Sequence, residues 1–273
     1  MKLVLALSGR LTAGGFSLKA MRQVFLEFPW VHAPAPTSFL PYFQKHGRFG
    51  RLRAGQAIYN GGTDGEVAWI LSGLCTYRMQ DSQDREHYFT LVPQGRLMGN
   101  VDAYTGSVVN ILDFALRPTE VLLMPRHRFI ELLAENGSLA REHTEMLVRE
   151  HESDLEGMFS AVTDRIEVRL ARLLAALVFR DRPRLTFRWS DALADFETQP
   201  VPYGLTVTEM ARTVGATRTA VSLTLTRWEK EGRLARRNGV RWVTRSLLES
   251  AADWLTGGGP SPKVAKSRRR SGT

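Results

Sequence analysis

Residues 205–234 read LTVTEMARTVGATRTAVSLTLTRWEKEGRL and contain two helix-start signals. Thr206 and Glu209 have the spacing of a capping box, in which a Thr hydroxyl and a Glu carboxylate satisfy each other's backbone N–H groups. Gly215 ends the first helix, because glycine readily adopts the left-handed conformation that follows a helix. Thr217 can cap a second helix. The stretch therefore predicts two helices that cross at an angle, joined by a very short turn.

The second helix has one apolar face and a polar, basic first turn. Val221, Leu225 and Trp228 recur at spacings of four and three residues, which predicts that they are buried. Asn238-Gly239 follows, a pair typical of a type I′ hairpin, with basic residues on both sides. A helix-turn-helix followed by a basic wing fits a DNA major groove. The predicted DNA-binding residues are Thr206, Thr217, Arg218, Thr219, Ser222, Arg227, Arg236, Arg237 and Arg241.

The positive charge of the chain is concentrated at its C-terminal end. The net charge is +9, and residues 205–273 carry fourteen Arg and Lys residues against five Asp and Glu, so the rest is neutral. This asymmetry favours a polyanionic partner, with a merely solvated basic surface as the alternative. Residues 257–273 begin with Gly and Pro and continue with Lys and Arg, which predicts a disordered basic tail. The tail either adds non-specific DNA affinity or is dispensable.

Upstream of this stretch the pattern changes twice. Four prolines in residues 29–41 predict a loop that leads into a short helix at most. Residues 48–130 alternate short apolar runs with glycine turns, which predicts an antiparallel barrel or roll. Residues 138–163 contain no proline and predict a long helix, with Ser138 as its N-cap.

An apolar stripe along the long helix is long enough to pack against a second copy of the chain. Its two histidines are interpreted as structural and hydrogen-bonded, with a pH response as the alternative. The predicted dimer seam consists of Leu139, His143, Leu147, His151, Leu155, Met158 and Val162. A second stripe, from Ile166 to Leu177, is predicted to face the C-terminal core, and residues 181–204 are interpreted as an irregular linker.

The C-terminal stretch resembles the winged helix-turn-helix of the Crp/Fnr family of bacterial transcription regulators. The resemblance rests on T-x-x-E-M-A-x-x-V-G-A-T-R-T-A-V-S followed by L-x-x-x-E-K-E-G-R-L. Upstream, RLRAGQAIYNGG and WILSGLCTYR are similar to the opening strands of the family's cyclic-nucleotide-binding-type roll. The resemblance implies an α+β fold with an N-terminal antiparallel β-roll, a long dimerisation helix and a C-terminal winged helix-turn-helix domain.

The family organisation divides the chain into five predicted segments. They are an N-terminal extension at 1–36, a β-roll effector-sensing domain at 37–137, a dimerisation helix at 138–163, a winged helix-turn-helix DNA-binding domain at 164–256 and a basic disordered tail at 257–273. Within residues 1–20 the apolar run is too short for a signal peptide. No run of residues approaches the ~20 apolar residues of a membrane span. We therefore expect a cytoplasmic protein without a membrane segment.

The chain departs from the family's cyclic-AMP binders in the roll. Those proteins carry Gly-Glu-Leu and then an Arg-Ser pair that holds the cyclic phosphate, whereas this chain has Gly99-Asn100-Val101 and, later, Val108-Val109-Asn110-Ile111 without an Arg. A buried phosphate needs a positive partner or a nest of backbone donors, so cyclic AMP is disfavoured. The predicted effector pocket, for an unknown ligand or none, consists of Gly99, Asn100, Val101, Val109 and Asn110.

Metal cofactors are also disfavoured. Cys75 is the single cysteine and cannot supply the several ligands of an iron–sulfur cluster, so it is interpreted as a packing residue. The six histidines show no spacing typical of metal ligands, which argues against haem and other metal sites. The recognition helix differs as well. Thr219 occupies a position where family members often have Glu or Arg, and Leu223 occupies one where they often have Arg. These differences predict an operator that differs from the family's best-known half-site.

These patterns together predict a sequence-specific transcription regulator that binds a palindromic DNA site as a homodimer and contacts RNA polymerase. The alternative is a sensor module that regulates a protein partner and binds DNA only non-specifically. An enzyme is disfavoured, because the sequence shows no acid–base pair beside a nucleophile, no phosphate-cradling glycine loop and no metal signature.

Overall fold

A computed structural model describes residues 27–58, 65–105, 112–181 and 197–252 of the 273-residue chain. Most of the predicted N-terminal extension and the whole basic tail lie outside these residues. Val109 and Asn110 of the predicted effector pocket also lie outside them.

The described elements form an α+β fold, as the sequence predicts. The described helices are α1 Leu40–His46, α2 Asp102–Thr105, α3 Arg126–Glu135, α4 Gly137–Thr163, α5 Ile166–Phe179, α6 Val207–Thr213, α7 Arg218–Lys230 and α8 Arg245–Ala252. The described strands are β1 Arg48–Leu52, β2 Ala57–Ile58, β3 Glu66–Ser72, β4 Leu74–Gln80, β5 Glu86–Pro93, β6 Leu97–Met98, β7 Leu112–Ala115, β8 Thr119–Pro125, β9 Thr198–Pro200, β10 Leu234–Arg237 and β11 Val240–Thr244. A 3-10 turn at Thr37–Phe39 leads directly into α1.

Strands β1–β8 form a roll of two four-stranded sheets, ordered β1-β8-β3-β6 and β2-β7-β4-β5, with antiparallel pairing throughout. Apolar side chains from both sheets meet in its interior, among them Ile70, Val92 and Val121. Cys75 is fully buried in this core, and burial raises the pKa of its thiol to about 12. The interpretation of Cys75 as a packing residue agrees with this position.

A second core joins the roll to the helices. Phe39, Phe43 and Phe129 are fully buried beside Trp69 of β3 and Met146 of α4. This cluster fixes α1, α3 and the first half of α4 against one sheet of the roll.

Helix α4 begins one residue earlier than predicted and has a different cap. The Asn136 side-chain oxygen accepts hydrogen bonds from the backbone N–H groups of Ser138 and Leu139, each at 3.1 Å. Ser138 is therefore inside the helix rather than at its N-cap. An Asn side chain is as effective a cap as Ser.

The structure differs from the predicted dimer seam at its first two residues, Leu139 and His143. Leu139 is 3% exposed and His143 is fully buried within the same chain. His143 packs edge-on against Phe129, and its Nδ1 lies 3.0 Å from the Tyr104 hydroxyl. Burial lowers the pKa of His143, which agrees with the interpretation of this histidine as structural. These side chains face inward because the second core lies against this half of α4.

The second half of α4 does expose an apolar stripe. His151, Met158 and Val162 are exposed and Leu155 is half-buried, with Val162 reaching 86%. Val148, 54% exposed, extends the stripe toward the N-terminus at a spacing of three residues from His151. The spacings of three and four residues match the seam of a coiled coil. Leu147 instead is half-buried beside the roll.

The C-terminal domain is built around α5 and a three-stranded sheet. Leu170, Leu173, Leu174 and Leu177 are fully buried, as their predicted stripe requires. The sheet order is β10-β11-β9. Strand β9 falls inside the segment interpreted as an irregular linker. Its three residues have no distinctive pattern, and their pairing with β11 is non-local.

A glycine in α4 makes a close contact that provides a test of the packing. A Cβ atom on Gly157 would lie 2.9 Å from the indole ring of Trp30, which is 4% exposed. We expect Gly157→Ala to destabilise the chain by about 1–3 kcal/mol through overpacking, although Ala is favoured over Gly in helices by about 1 kcal/mol. Urea denaturation measures the change. Gly137→Ala, at an open position of the same helix, is the control. A Gly157→Ala protein at least as stable as the wild type would contradict this packing.

Candidate nucleic-acid interface

The predicted capping box begins helix α6. The Thr206 hydroxyl accepts a hydrogen bond from the backbone N–H of Glu209 at 3.2 Å, and the Glu209 carboxylate accepts one from the backbone N–H of Thr206 at 2.7 Å. Thr206 is exposed at the helix start, but its hydroxyl is already engaged in this cap.

The turn between α6 and α7 has the predicted geometry. Gly215 has a φ of +63°, and the Thr217 hydroxyl accepts from the backbone N–H of Ala220 at 3.2 Å. Arg169 of α5 donates to the carbonyl oxygens of Val214 and Gly215 at 2.8 and 3.0 Å. A cation at the end of α6 interacts favourably with its orphan carbonyl groups. Sequence reasoning missed Arg169, because it lies about 45 residues from the turn.

Helix α7 separates a buried face from an exposed one. Val221, Leu225 and Trp228 are buried, at 0%, 5% and 1% exposure, so the predicted inner face is confirmed. The first two turns of the opposite face are solvent-accessible and carry Arg218, Thr219 and Ser222. Leu223 lies on this surface too and is 67% exposed. The predicted set of DNA-binding residues did not include Leu223.

Two of the predicted arginines on the outer surface already have acidic neighbours. Arg227 lies 2.9 Å from Glu167 of α5 and is half-exposed. Arg236 lies 3.6 Å from Glu229 and is 58% exposed. Both pairs are solvent-exposed and therefore weak, so each guanidinium can exchange its partner at small cost.

The predicted wing is a two-residue hairpin. Arg237 pairs with Val240, and Asn238 and Gly239 between them both have positive φ, at 49° and 77°. This is the backbone that a type I′ turn requires. Arg237 is exposed, with its guanidinium 5.1 Å from the centroid of the Trp242 ring.

Arg241 does not lie on the exposed face of the wing, contrary to its predicted role in DNA binding. It is 8% exposed, and its guanidinium donates to the carbonyl oxygen of Leu205 at 2.6 Å. Burial, followed by the nearby charge of Arg236, lowers the pKa of Arg241. Side chains alternate between the two faces of a strand, and Arg241 is on the inner one. Neither the charge of Arg241 nor its position in the sequence indicates which face of the strand its side chain occupies.

The start of α6 is also held by the roll. Arg117, in the turn between β7 and β8, forms two hydrogen bonds with the Glu209 carboxylate, at 2.7 and 2.8 Å. The same guanidinium donates to the carbonyl oxygens of Tyr203 and Gly204. Burial alone would raise the pKa of Glu209, but the bonds from Arg117 and from the Thr206 backbone outweigh it and lower the pKa.

Two further arginines join the roll to the C-terminal elements. Arg212 of α6 lies 2.7 Å from Glu86 and donates to the Tyr88 hydroxyl of β5 at 3.1 Å. Arg96 of the roll is 1% exposed and reaches Asp181, just after α5, at 2.8 Å. Charge-assisted hydrogen bonds, which are stronger than neutral ones, thus connect the roll both to α6 and to the end of α5.

A cleft of about 920 Å³ opens between β5 and the first turn of α7. Its charged lining is mainly basic and consists of Arg85, Arg165, Arg169, Arg212 and Arg218 against Glu86 and Glu167. Arginines therefore outnumber acidic residues from the exposed first turn of α7 to the edge of the roll. An excess of one sign of charge in a cleft raises the local concentration of oppositely charged groups.

The described part of the predicted effector pocket lies between the roll and α4. Gly99 donates its backbone N–H to the Tyr77 hydroxyl at 3.3 Å, and the fully buried Asn100 donates its amide to Glu150 of α4 at 3.3 Å. Val101, 52% exposed, borders a cavity of about 280 Å³. Of the predicted pocket residues that the structure describes, Val101 lines this cavity, whereas Gly99 and Asn100 are not among its lining residues.

None of the described residues forms a group of three or more His, Cys, Asp or Glu side chains suited to a metal ion. Within the same residues, every helix is too short or too polar to cross a bilayer.

Comparisons with known proteins agree with this architecture. Residues 168–251 match the model of the Crp-like helix-turn-helix domain. FixK2 from Bradyrhizobium japonicum superimposes with a TM-score of 0.60 at 18% identity, over 75% of this chain and 96% of that one. The c-di-GMP-responsive global regulator CLP from Xanthomonas campestris gives 0.58 at 16% identity, over 77% and 99% of the two chains. A CRP/FNR-family regulator from Thermus thermophilus gives 0.55 at 19%, over 75% and 98%. No curated protein matches by sequence.

The domain match and the shared fold confirm the resemblance inferred from the sequence. Residues 168–251 match the Crp-like helix-turn-helix domain, and the described chain shares its fold with solved structures that include a CRP/FNR-family regulator. Two of these solved structures are described as regulators: CLP as a global regulator of virulence gene expression, and the Thermus protein as a transcriptional regulator.

The buried position of Arg241 leads to a prediction that distinguishes structural from DNA-contacting arginines. We expect Arg241→Ala to lower the free energy of unfolding by about 1–3 kcal/mol, because it leaves the buried Leu205 carbonyl without its donor. Arg237→Ala, on the exposed wing, should change it by less than about 0.5 kcal/mol. Urea denaturation of both variants provides the comparison. Equal stability of the two proteins would show that Arg241 has no structural role.

Proposed function

We propose that this chain is a sequence-specific regulator of transcription that binds a two-fold symmetric DNA site as a homodimer. The exposed face of α7 is the main support. Its first two turns present Arg218, Thr219 and Ser222 to solvent, while Val221, Leu225 and Trp228 anchor the opposite face. A helix fixed from behind in this way can enter a major groove without rearrangement of its core.

The exposed side chains match the chemistry of base edges. Arg218 can pair with the O6 and N7 acceptors of a guanine, and the hydroxyl groups of Thr219 and Ser222 can contact bases or phosphates. Leu223 adds an apolar group that suits the methyl group of a thymine. The free N–H groups at the start of the 13-residue helix α7 favour a nearby phosphate.

The wing supplies contacts that do not depend on sequence. Arg236 and Arg237 are exposed on the strand next to a tight turn, where they can reach phosphate groups beside the major groove. Each such contact releases a counterion, so each should contribute about one unit to the salt dependence of binding. Arg241 has no part in this role, because it is buried.

The exposed stripe on the second half of α4 is the proposed dimer contact. Val148, His151, Leu155, Met158 and Val162 leave apolar surface uncovered in a single chain. Packing of this stripe against its copy would bury it and would relate two recognition helices by a two-fold axis. Such a dimer reads half-sites ~34 Å apart.

A role as a transcription regulator also implies RNA polymerase and a small effector as partners. A regulator of this kind acts on cytoplasmic DNA and contacts RNA polymerase, and the roll is the site for a small effector. The alternative, a sensor that regulates a protein partner, predicts retention of any DNA at low salt and no preferred sequence. Selection of bound sites from random duplex DNA, with excess competitor DNA present, separates the two functions.

The role of Arg218 can be tested on the selected site. We expect Arg218→Ala to weaken binding by about 1–3 kcal/mol and to relax the preference at one base pair of each half-site, because a bidentate contact is lost. Gel-shift titration at fixed salt measures both effects. Arg128→Ala, which removes an exposed arginine of α3, is the matched control. Undiminished affinity and specificity in Arg218→Ala would remove this residue from base reading.

The dimer contact can be tested by placing a charge on the stripe. We expect Val162→Asp to shift the protein to a monomer in sedimentation experiments and to weaken operator binding at least tenfold, because the charge would be buried at the seam. Thr163→Asp adds the same charge at the next exposed residue, off the stripe, and should remain dimeric. If the Val162→Asp protein stays dimeric, the subunits associate through another surface.

A further inference from the structure

The cavity between the roll and α4 has an unusual lining for a nucleotide site. Its volume is about 280 Å³, and its walls combine aromatic side chains of the roll with acidic side chains. Tyr77 and Phe89 contribute rings, while Asp102 of α2 and Glu150 and Asp154 of α4 contribute carboxyl groups. The volume is close to the lower end of the range for small-molecule sites.

The charge of this lining is negative. His32 is the main compensating group, with its Nδ1 3.3 Å from Glu150 and its Nε2 4.0 Å from Asp154. Burial would lower the pKa of His32, but the two carboxylates outweigh burial and raise it. Burial raises the pKa of Asp154 to about 6, so this group is still largely ionised at pH 7.5. The described lining therefore has three carboxyl groups against two histidines, His32 and His151.

None of the described residues that line the cavity is Lys or Arg. The two roll segments outside the described residues, 59–64 and 106–111, read YNGGTD and GSVVNI and contain no Lys or Arg either. A cyclic phosphate in this cavity would meet carboxylates without a balancing guanidinium, which is unfavourable.

The two carboxyl groups of α4 at the cavity differ in their partners. The Glu150 side chain is 5% exposed; one of its oxygens accepts from the Asn100 amide, and the other forms an ion pair with His32 Nδ1 at 3.3 Å. One oxygen of Asp154 makes no hydrogen bond within the described part of the chain and lies 4.0 Å from His32 Nε2. Buried acceptors are normally satisfied, so this atom indicates that a hydrogen-bond donor belongs here.

We propose that this cavity binds a small organic amine whose ammonium group donates to Glu150 and Asp154. This proposal rests on the proposed function, in which the roll senses an effector, and it specifies the chemical class of that effector. An ammonium group supplies three N–H donors and a positive charge. The rings of Tyr77 and Phe89 provide an apolar wall and a favourable cation–π environment.

The position of the cavity gives bound ligand a route to the dimer contact. His151 lines the cavity and also belongs to the exposed stripe of α4. A ligand that neutralises Glu150 and Asp154 changes the electrostatic environment of His151 within one turn of the helix. Ligand in the cavity therefore alters the packing of the two α4 helices of the proposed dimer. That packing in turn sets the spacing of the two recognition helices.

A matched pair of probes tests the ligand class on the purified full chain. Tyramine and tyrosol have the same phenol ring and chain length but end in an amine and a hydroxyl, respectively. We expect tyramine to raise the melting temperature and to give measurable heat in titration calorimetry, and tyrosol and cyclic AMP to do neither. Agmatine and spermidine extend the series to amines without a ring.

Two variants of α4 localise the site. Glu150→Gln should weaken binding of the amine at least tenfold, because the buried charge that pairs with it is lost. Asp154→Asn provides a second variant should Glu150→Gln fold poorly. Glu145→Gln removes an exposed carboxylate from the same helix and should bind as the wild type does. Equal binding by Glu145→Gln and both cavity variants would overturn the assigned site.

The outcomes separate this inference from the proposed function. If no amine binds at millimolar concentration, or if tyrosol or cyclic AMP binds as well as tyramine, the inference is wrong, while operator binding by the same protein stands by itself. If an amine binds but the chain selects no DNA sequence, the cavity assignment survives and the proposed function fails.

Discussion

One carboxylate, that of Glu209, connects the two halves of this protein. It closes the capping box with Thr206 that begins α6, and it accepts both bonds of the Arg117 guanidinium from the roll. A bidentate ion pair fixes direction as well as distance, so the first turn of the helix-turn-helix has a defined orientation relative to β7 and β8. The direction in which α7 faces follows from this attachment, together with the hold that Arg169 has on the following turn.

The two halves of helix α4 have different surroundings. Its first half is part of the chain's own core, where His143 packs among aromatic rings. Its second half presents an apolar stripe to solvent on one side and carboxylates to the roll cavity on another. The proposed dimer contact and the proposed effector cavity therefore share one helix, and His151 belongs to both. If both proposals hold, this shared helix provides a direct connection between them.

Exposed positive charges and enclosed negative charges lie at two different places in the protein. The face proposed to bind DNA carries exposed arginines in weak surface pairs that exchange partners easily. The cavity of the roll carries the opposite sign, enclosed by protein and only partly neutralised by His32. A polyanion and a small cation can therefore bind the same chain at separate places without competing. The acidic lining of the cavity also argues against nucleotide effectors, because their phosphate groups would be repelled by its carboxylates.

The sequence by itself determined the elements whose bonds join near neighbours. The capping box, the glycine turn, the Thr217 cap and the Asn-Gly hairpin all depend on residues within about four positions of each other, and all are present. The family resemblance gave the order of roll, long helix and winged domain.

Only the tertiary structure decided which face of a strand or helix turns inward. Arg241 is buried, Leu139 and His143 face their own chain, and β9 forms a strand. Arg117 holds Glu209 across 92 residues, and the acidic cavity joins roll to helix. These features depend on contacts between distant segments, whose energy no local pattern of residues encodes.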